Sequence, residues 1–197
     1  IAPTALQAAT LIGLGMQADA STPFAAKLNA ALWSALYSAD GGTGSLIQTL
    51  NKESSTHDAG LVLQEDFQTR ALIGLFGNNN LRFSVTPDGV NFNDALSIDP
   101  ATGIADQPGL PRFSAHTNYD NYLGVGTWSK LGINVADYND QACFDAATNL
   151  FTAPVDGTYQ LGASLMYKTN GNAGARLQGR LVLNGTAAIA GTTSEIS

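Results

Sequence analysis

Between Gly41 and Ile98 apolar and polar positions trade places in short runs: GSLIQTLNK, AGLVLQED, RALIGLFG, LRFSVTP and ALSID. Alternation with a period of two predicts strands. The runs are divided by GGTG, NKESSTHD, GNNN, PDG and DPATG. These dividers predict turns, because Asn and Asp accept left-handed backbone, Gly carries no side-chain penalty there, and Pro87 pre-sets its own φ ahead of Asp88-Gly89. A β-meander follows, its strands reversing at nearly every divider. Before it, the period is ambiguous. Thr22-Pro23 ahead of FAAKLNAALWSALYSAD offers a capping hydroxyl and Pro at the first helical position, with Phe24, Leu28, Leu32 and Leu36 spaced by four, as in a helix. Leu28, Ala30, Leu32, Ser34 and Leu36 equally alternate as a strand would, so residues 22–38 carry both readings.

A second patterned stretch runs from Ile133 to Ala163. Phe144 and Phe151 bracket DAATNL, whose Asp145, Thr148 and Asn149 are suited to closing a turn through side-chain to backbone hydrogen bonds. Pro154 ends the pairing of the second strand because it has no amide hydrogen. Asp156-Gly157 then reads as a turn, and Thr158, Tyr159, Leu161, Ala163, Leu165 and Tyr167 as a further alternating strand. Between the two patterned regions lies DPATGIADQPGLPRF, with Pro100, Pro108 and Pro111, a segment unsuited to a sheet interior and long enough for a semi-rigid spacer. This sets two β-rich domains, 1–110 with a proline-bearing neck at its end and 111–197, with the boundary near Leu110.

Composition agrees with an all-β class. The chain has 197 residues, 44% apolar and 13% charged, with 21 glycines, enough apolar content for sizeable cores. A net charge of −7 and a pI near 4.5 argue against a phosphate-tracking surface, so nucleic acid is set aside as a partner. No stretch is apolar for long enough to insert in a bilayer. Ile1 to Met16 is apolar but has no basic start and no clear cleavage site, and the first residue is not Met, so the chain is expected to be the middle of a longer polypeptide. The single cysteine, Cys143, leaves no intrachain disulfide, and its apolar setting predicts a buried, inert thiol.

Candidate chemistry is sparse. His57 and His116 lie far apart in polar segments and read as solvated side chains; there is no Gly-x-Ser-x-Gly elbow and no His-rich metal spacing. Glu65-Asp66 offers part of a carboxylate pair for glycoside cleavage, but an exposed acidic turn is the preferred reading. Asp137, Asp140 and Asp145 lack the dense spacing of a calcium loop. No metal, cofactor or catalytic residue is expected. Carbohydrate binding needs only an aromatic platform with amides and carboxylates around it, and the stretch from Ala115 to Trp128 offers one. Tyr119, Tyr122 and Trp128 are suited to stacking on sugar rings, and Asn118, Asp120 and Asn121 to bonding hydroxyls. The competing role for Tyr122 and Trp128 is in a core or a subunit contact.

Two resemblances sharpen these expectations. Asn139, Phe144, Phe151, Gly157 and Tyr159, with FTAPVDGTY between 151 and 159, resemble the signature of the complement globular-head and tumour-necrosis-factor superfamily of trimeric jelly rolls. Ile133, Leu161 and Ala163 depart from that family's preferred aromatics. The resemblance implies a jelly roll, here incomplete, and a homotrimer. Upstream, Asn51-Lys52, Leu61 to Gln68, Arg70 to Leu75 and Ser84 to Gly89 resemble, in order, a domain of unknown function from alphaproteobacterial prophages and gene transfer agents. That similarity implies a head spike or tail fibre on the surface of a virion or phage-like particle, contacting other particle proteins and binding host surface polysaccharide. The alternatives are a polysaccharide depolymerase and an architectural collar.

Overall fold

The computed structural model describes residues 8–168 and 176–196. The first seven residues of the apolar start thus lie outside the described residues. Among the described residues the chain is all-β with no α-helix, and its sheets are antiparallel apart from one short parallel pair. The sandwich or jelly-roll class expected of the sequence is compatible with this architecture. The chain separates into two compact units, divided between Gly109 and Leu110.

In the first unit, β1 (Ile12–Leu14) pairs in parallel with β2 (Phe24–Ala26). Between them the Asp19 carboxylate accepts hydrogen bonds from Ser21 N, Ser21 Oγ and Thr22 N, fixing the return of the chain. The helix allowed by the sequence over residues 22–38 does not form; β2 is followed by irregular chain as far as a single 3-10 turn, Ser38–Asp40. The stripe intended for a helix face stays in solvent, with Leu28, Leu32 and Leu36 all exposed. A helix that buries no apolar face has little to hold it. GSLIQTLNK also forms no strand, and its Leu46, Ile47 and Leu50 are exposed. Alternation makes a strand only where a partner ladder exists.

The remaining runs do form the expected meander: β3 (Ala59–Glu65), β4 (Gln68–Leu75), β5 (Leu81–Val85), β6 (Asn93–Ile98) and β7 (Ala105–Asp106), hydrogen-bonded in that order. The β3–β4 turn places Asp66 and Phe67 at φ 47° and 62°. Two left-handed central residues match the twist of a tight hairpin, although neither residue is glycine. Asp88 closes the β5–β6 turn, accepting from the amides of Val90 and Asn91 and from the Asn91 side chain. These bonds hold its carboxyl far below the ordinary range, the Asn91 amide contributing most.

Register sorts the side chains of this sheet. Leu61, Ile73, Phe83 and Leu96 are cross-strand neighbours on one face, flanked by Ala59, Leu75, Leu81, Ile98 and Ala105 in one row and Leu63, Ala71, Val85 and Asn93 in the other. The opposite face carries Arg82, Ser84 and Asp94, with Val62 and Leu72. Here Arg82 donates through Nε and Nη2 to the two Asp94 oxygens at 3.0 and 2.7 Å, and through Nη1 to the Phe76 carbonyl; Ser84, buried, donates to Asp94 at 2.6 Å. Burial opposes ionisation of Asp94, but these hydrogen bonds and the Arg82 charge prevail and lower its pKa.

The second unit is built of short antiparallel pairs. β8 (Phe113–His116) pairs with β9 (Val135–Asn139). β10 (Phe144–Asp145) and β11 (Leu150–Phe151) make the expected hairpin. β12 (Leu177–Gly179) pairs with β15 (Ser194–Ile196), and β13 (Val182–Leu183) with β14 (Ala187–Ala188). The alternating run from Thr158 to Tyr167 forms no strand, since no described segment pairs with it.

The motif residues meet at the β8–β11 end of this unit. Phe113 stacks on Phe144, with centroids 4.9 Å apart, and on Phe151 at 5.4 Å; Tyr159 meets Phe151 edge-on at 5.3 Å. Tyr159 Oη donates to the Val155 carbonyl, pinning the Pro154-containing bend. The Thr152 amide donates to the Cys143 carbonyl, which makes Phe144 and Phe151 the non-hydrogen-bonded pair of the hairpin. The backbone groups of Phe144 therefore face away from β11, and Asn139 takes both: Oδ1 accepts from the Phe144 amide at 2.9 Å and Nδ2 donates to its carbonyl at 2.6 Å. Cys143 is buried against the same amide. A Cβ at Gly157 would make only ordinary contact, with the Tyr159 ring.

Candidate functional site

Residues 117–134 leave β8 and return to β9 as one long irregular excursion, and all the aromatic and amide residues expected to meet sugar lie on it. Its two arms are joined near their base by side-chain amides, because neither arm offers a backbone ladder. Asn134 Nδ2 donates to Asn118 Oδ1 at 2.9 Å, and Asn118 N to Asn134 Oδ1 at 3.2 Å. One step further out, Asn121 Oδ1 accepts from Gly132 N at 2.8 Å while its Nδ2 donates to the Gly132 carbonyl. Tyr119 Oη lies directly over Gly132, where any side chain would collide with it. Lower down, Asn149 Oδ1 accepts from the Ile133 amide and Lys130 Nζ donates to the Thr148 carbonyl, tying the returning arm to the β10–β11 turn.

The expected contact residues thus separate by what already holds them. Asn118 is spent on Asn134. Asp120 forms an exposed ion pair with Lys168 at 2.6 Å. Tyr119 is half-exposed, its hydroxyl end lying against Gly132. Trp128 carries the Arg180 guanidinium over its ring, 3.9 Å from the centroid, which occupies one face and leaves the residue 53% exposed. Tyr122 is 93% exposed and remains the freest platform on the loop. Arg180, Asn134 and Gly132 escaped the sequence reading; Arg180 is far away in the chain and carries no local signal, whereas an Asn–Asn pair flanking a glycine-rich loop was there to be noticed.

The acidic residues weighed for metal or catalysis are each engaged separately. Asp137 is the extra residue of a bulge in the β8–β9 ladder and reaches both Ser114 and His116. The Ser114 hydroxyl is the main cause of its lowered pKa, with a further contribution from His116. Asp140 pairs with Arg112 at 2.9 Å. Asp145 accepts from Ala147 N and Thr148 Oγ1 within the hairpin turn. No group of three His, Cys, Asp or Glu residues is poised for a metal among the described residues. Glu65 and Asp66 sit at the exposed β3–β4 tip, Glu65 paired with Arg70. His57 shares its turn with Ser54 at 2.8 Å.

One open cleft of 620 Å³ lies on the polar face of the meander, lined by Arg82, Asp94, Asp99 and Asp106 among others. Asp94 is fully committed there to Arg82 and Ser84, and Asp99 accepts from the Ala101 amide. A carboxyl held ionised as Asp94 is cannot serve as the proton donor that glycoside cleavage requires.

Comparison with family models, curated proteins and solved structures returned no match to this chain.

Proposed function

We propose that this chain is a non-enzymatic adhesion and display segment of a fibre or spike on a phage-like particle, associating as a homotrimer and presenting the 117–134 loop to host surface polysaccharide. The observation that carries this reading is unburied apolar surface. Leu32, Ile47, Phe67, Val90 and Met166 are each more than three-quarters exposed. Buried apolar side chains are confined to Ala18, Ala25, Cys143 and Phe144 among the described residues. A chain with so little core of its own is completed by others, as fibre proteins are. Three copies of an exposed aromatic loop convert weak stacking contacts into avidity, with no tight single site required. The particle assignment rests on the prophage and gene-transfer-agent resemblance of residues 51–89.

Light scattering and a glycan array on the same preparation test it. The expected mass is three times the 20.4 kDa chain, and Tyr122→Ala is expected to lose glycan retention while keeping that mass. A monomer that binds no glycan overturns the proposal. The open cleft on the meander, in which Asp99 and Asp106 stand apart from the committed Asp94, favours the depolymerase as second reading. Release of reducing ends from a bound polysaccharide, lost in Asp99→Asn, would select it instead.

A further inference from the structure

We infer that the glycan met by the 117–134 loop is an acidic one, and that Arg180 selects it by receiving a sugar carboxylate. This rests on the glycan-binding reading above and names the chemical class of ligand at that same site.

The chain has five arginines, and four of them are bound to a carboxylate: Arg70 to Glu65, Arg82 to Asp94, Arg112 to Asp140 and Arg176 to Glu195. Arg180 has no carboxylate partner among the described residues. Its guanidinium lies over the Trp128 ring, and its Nε is buried with no acceptor. A ring face attracts a cation but offers no lone pair in the guanidinium plane, so the stack leaves the N–H fork without an acceptor of its own. A carboxylate approaches that fork edge-on, in the plane, and is compatible with the stack.

Arg180 is also held ready. Before it, β12 is paired with β15 as far as Gly179↔Ser194. After it, Leu181 N donates to Thr192 Oγ1 and the Leu181 carbonyl accepts from Ile189 N. With its backbone fixed on both sides and its head resting on Trp128, Arg180 loses little further freedom on meeting an anion. Glu195, on the strand paired with β12, is already taken by Arg176 and Gln178.

The distribution of charge admits an anionic ligand at this unit. Residues 1–109 carry ten acidic side chains against four basic, and residues 110–197 six against five. The net charge of −7 therefore resides almost wholly in the first unit. On the loop itself Lys130, two residues from Trp128, has a backbone carbonyl as its partner and not a carboxylate. A neutral sugar would leave the Arg180 charge uncompensated. A sugar bearing a carboxylate compensates it, and Tyr122 stays open for stacking.

Biolayer interferometry of the full chain tests this on immobilised polygalacturonate, alginate, hyaluronate and polysialic acid, each beside its carboxyl-reduced form. Dextran sulfate serves as a polyanion without carboxylates. At least one acidic polymer is expected to retain the wild type about tenfold or more tightly than its reduced form does, the size of one charge-assisted contact. Arg180→Gln is expected to abolish that difference, and Arg180→Lys, which keeps the cation but not the planar fork, to lose most of it. Because Arg180→Gln also removes the stack on Trp128, a second measurement leaves the site intact. In a Trp33→Phe background, Trp128 emission is expected to shift on adding the preferred acidic polymer and not its reduced form. No preference for an acidic polymer, a preference that survives Arg180→Gln, an unmoved Trp128 emission, or retention strongest on dextran sulfate overturns the inference. Retention of neutral glycans that is lost in Tyr122→Ala would then leave the adhesion reading in place with an uncharged ligand. No retention on any polymer, acidic or neutral, would overturn both.

Discussion

Replacing Asn139 by Ala removes the side chain that serves the outward backbone groups of Phe144. Two hydrogen bonds are lost, at 2.9 and 2.6 Å, beside a residue only 6% exposed. Each bond contributes about 0.5–1.5 kcal/mol net, and an orphaned amide or carbonyl adds a desolvation cost of about 1–3 kcal/mol where water does not replace the partner. Asn139 is itself only half-buried, so water reaches part of the gap. The expected loss is therefore about 2–3 kcal/mol, which for a unit of this size lowers its melting temperature by roughly 10–20 °C. Asn139→Asp separates the two bonds: the carboxylate still accepts from the Phe144 amide but faces the Phe144 carbonyl with no proton to give. It is expected to lose at least half as much stability at neutral pH and to recover below about pH 4, when the acid can donate. Urea unfolding followed by Trp128 fluorescence in a Trp33→Phe background reads the second unit alone. An Asn139→Ala variant within about 0.5 kcal/mol of its parent, the scatter of neutral surface changes, would refute the account of Asn139 as the hairpin's outer partner.

Gly74→Ala is expected to cost 2 kcal/mol or more, of the order of strong overpacking. Gly74 sits mid-strand at φ +151°, where a methyl group would strike the Ala59 carbonyl and lie 2.5 Å from Gly60 Cα, backbone that yields only if β3 parts from β4; circular dichroism during urea unfolding measures it, and an unchanged midpoint would contradict it. For Asp88 the sign follows from a folded pKa below the ordinary 3.8. Its turn contributes stability that is present above about pH 4 and is lost as pH falls through the folded value. The melting temperature of the wild type is thus expected to exceed that of Asp88→Asn at pH 7, with the gap closing toward pH 2; a gap constant with pH would count against the turn bonds.

The meander was legible because two signals coincide in it: alternation, and dividers such as Pro87-Asp88-Gly89 whose residues prefer turn conformations. GSLIQTLNK carries the first signal and flanking turns as well, yet makes no strand. Pattern records which face a strand would bury, not whether a neighbour is there to pair with it. The stretch from Thr158 to Tyr167 fails for the same reason. At the β3–β4 tip the difficulty is reversed, since Asp66-Phe67 lacks the Asn-Gly wording of a tight hairpin and the strands on either side impose the conformation. In the second unit Asn139, Phe144, Phe151 and Tyr159 were singled out by spacing, but Phe113, which stacks on both Phe144 and Phe151 and pairs with Asn139, was not. Its link to them runs through the β8–β9 ladder rather than through neighbouring sequence. The loop aromatics were legible as a group; which of them would be free was not, because Gly132 on the loop's returning arm and Arg180 outside the loop settle that.

The two amide clasps, Asn118 with Asn134 and Asn121 with Gly132, sit between the β8–β9 ladder and everything beyond them. Residues 122–127 therefore hang from a fastening that does not depend on what they are, whereas Trp128 and Lys130 hold the returning arm through Arg180 and the Thr148 carbonyl. Such a tip behaves as an exchangeable cassette: its sequence is free to diversify, or to be replaced by a foreign peptide, while the strands beneath keep their register. A lineage facing changing surfaces would accumulate its variation outside the clasp and hold the four clasp positions constant.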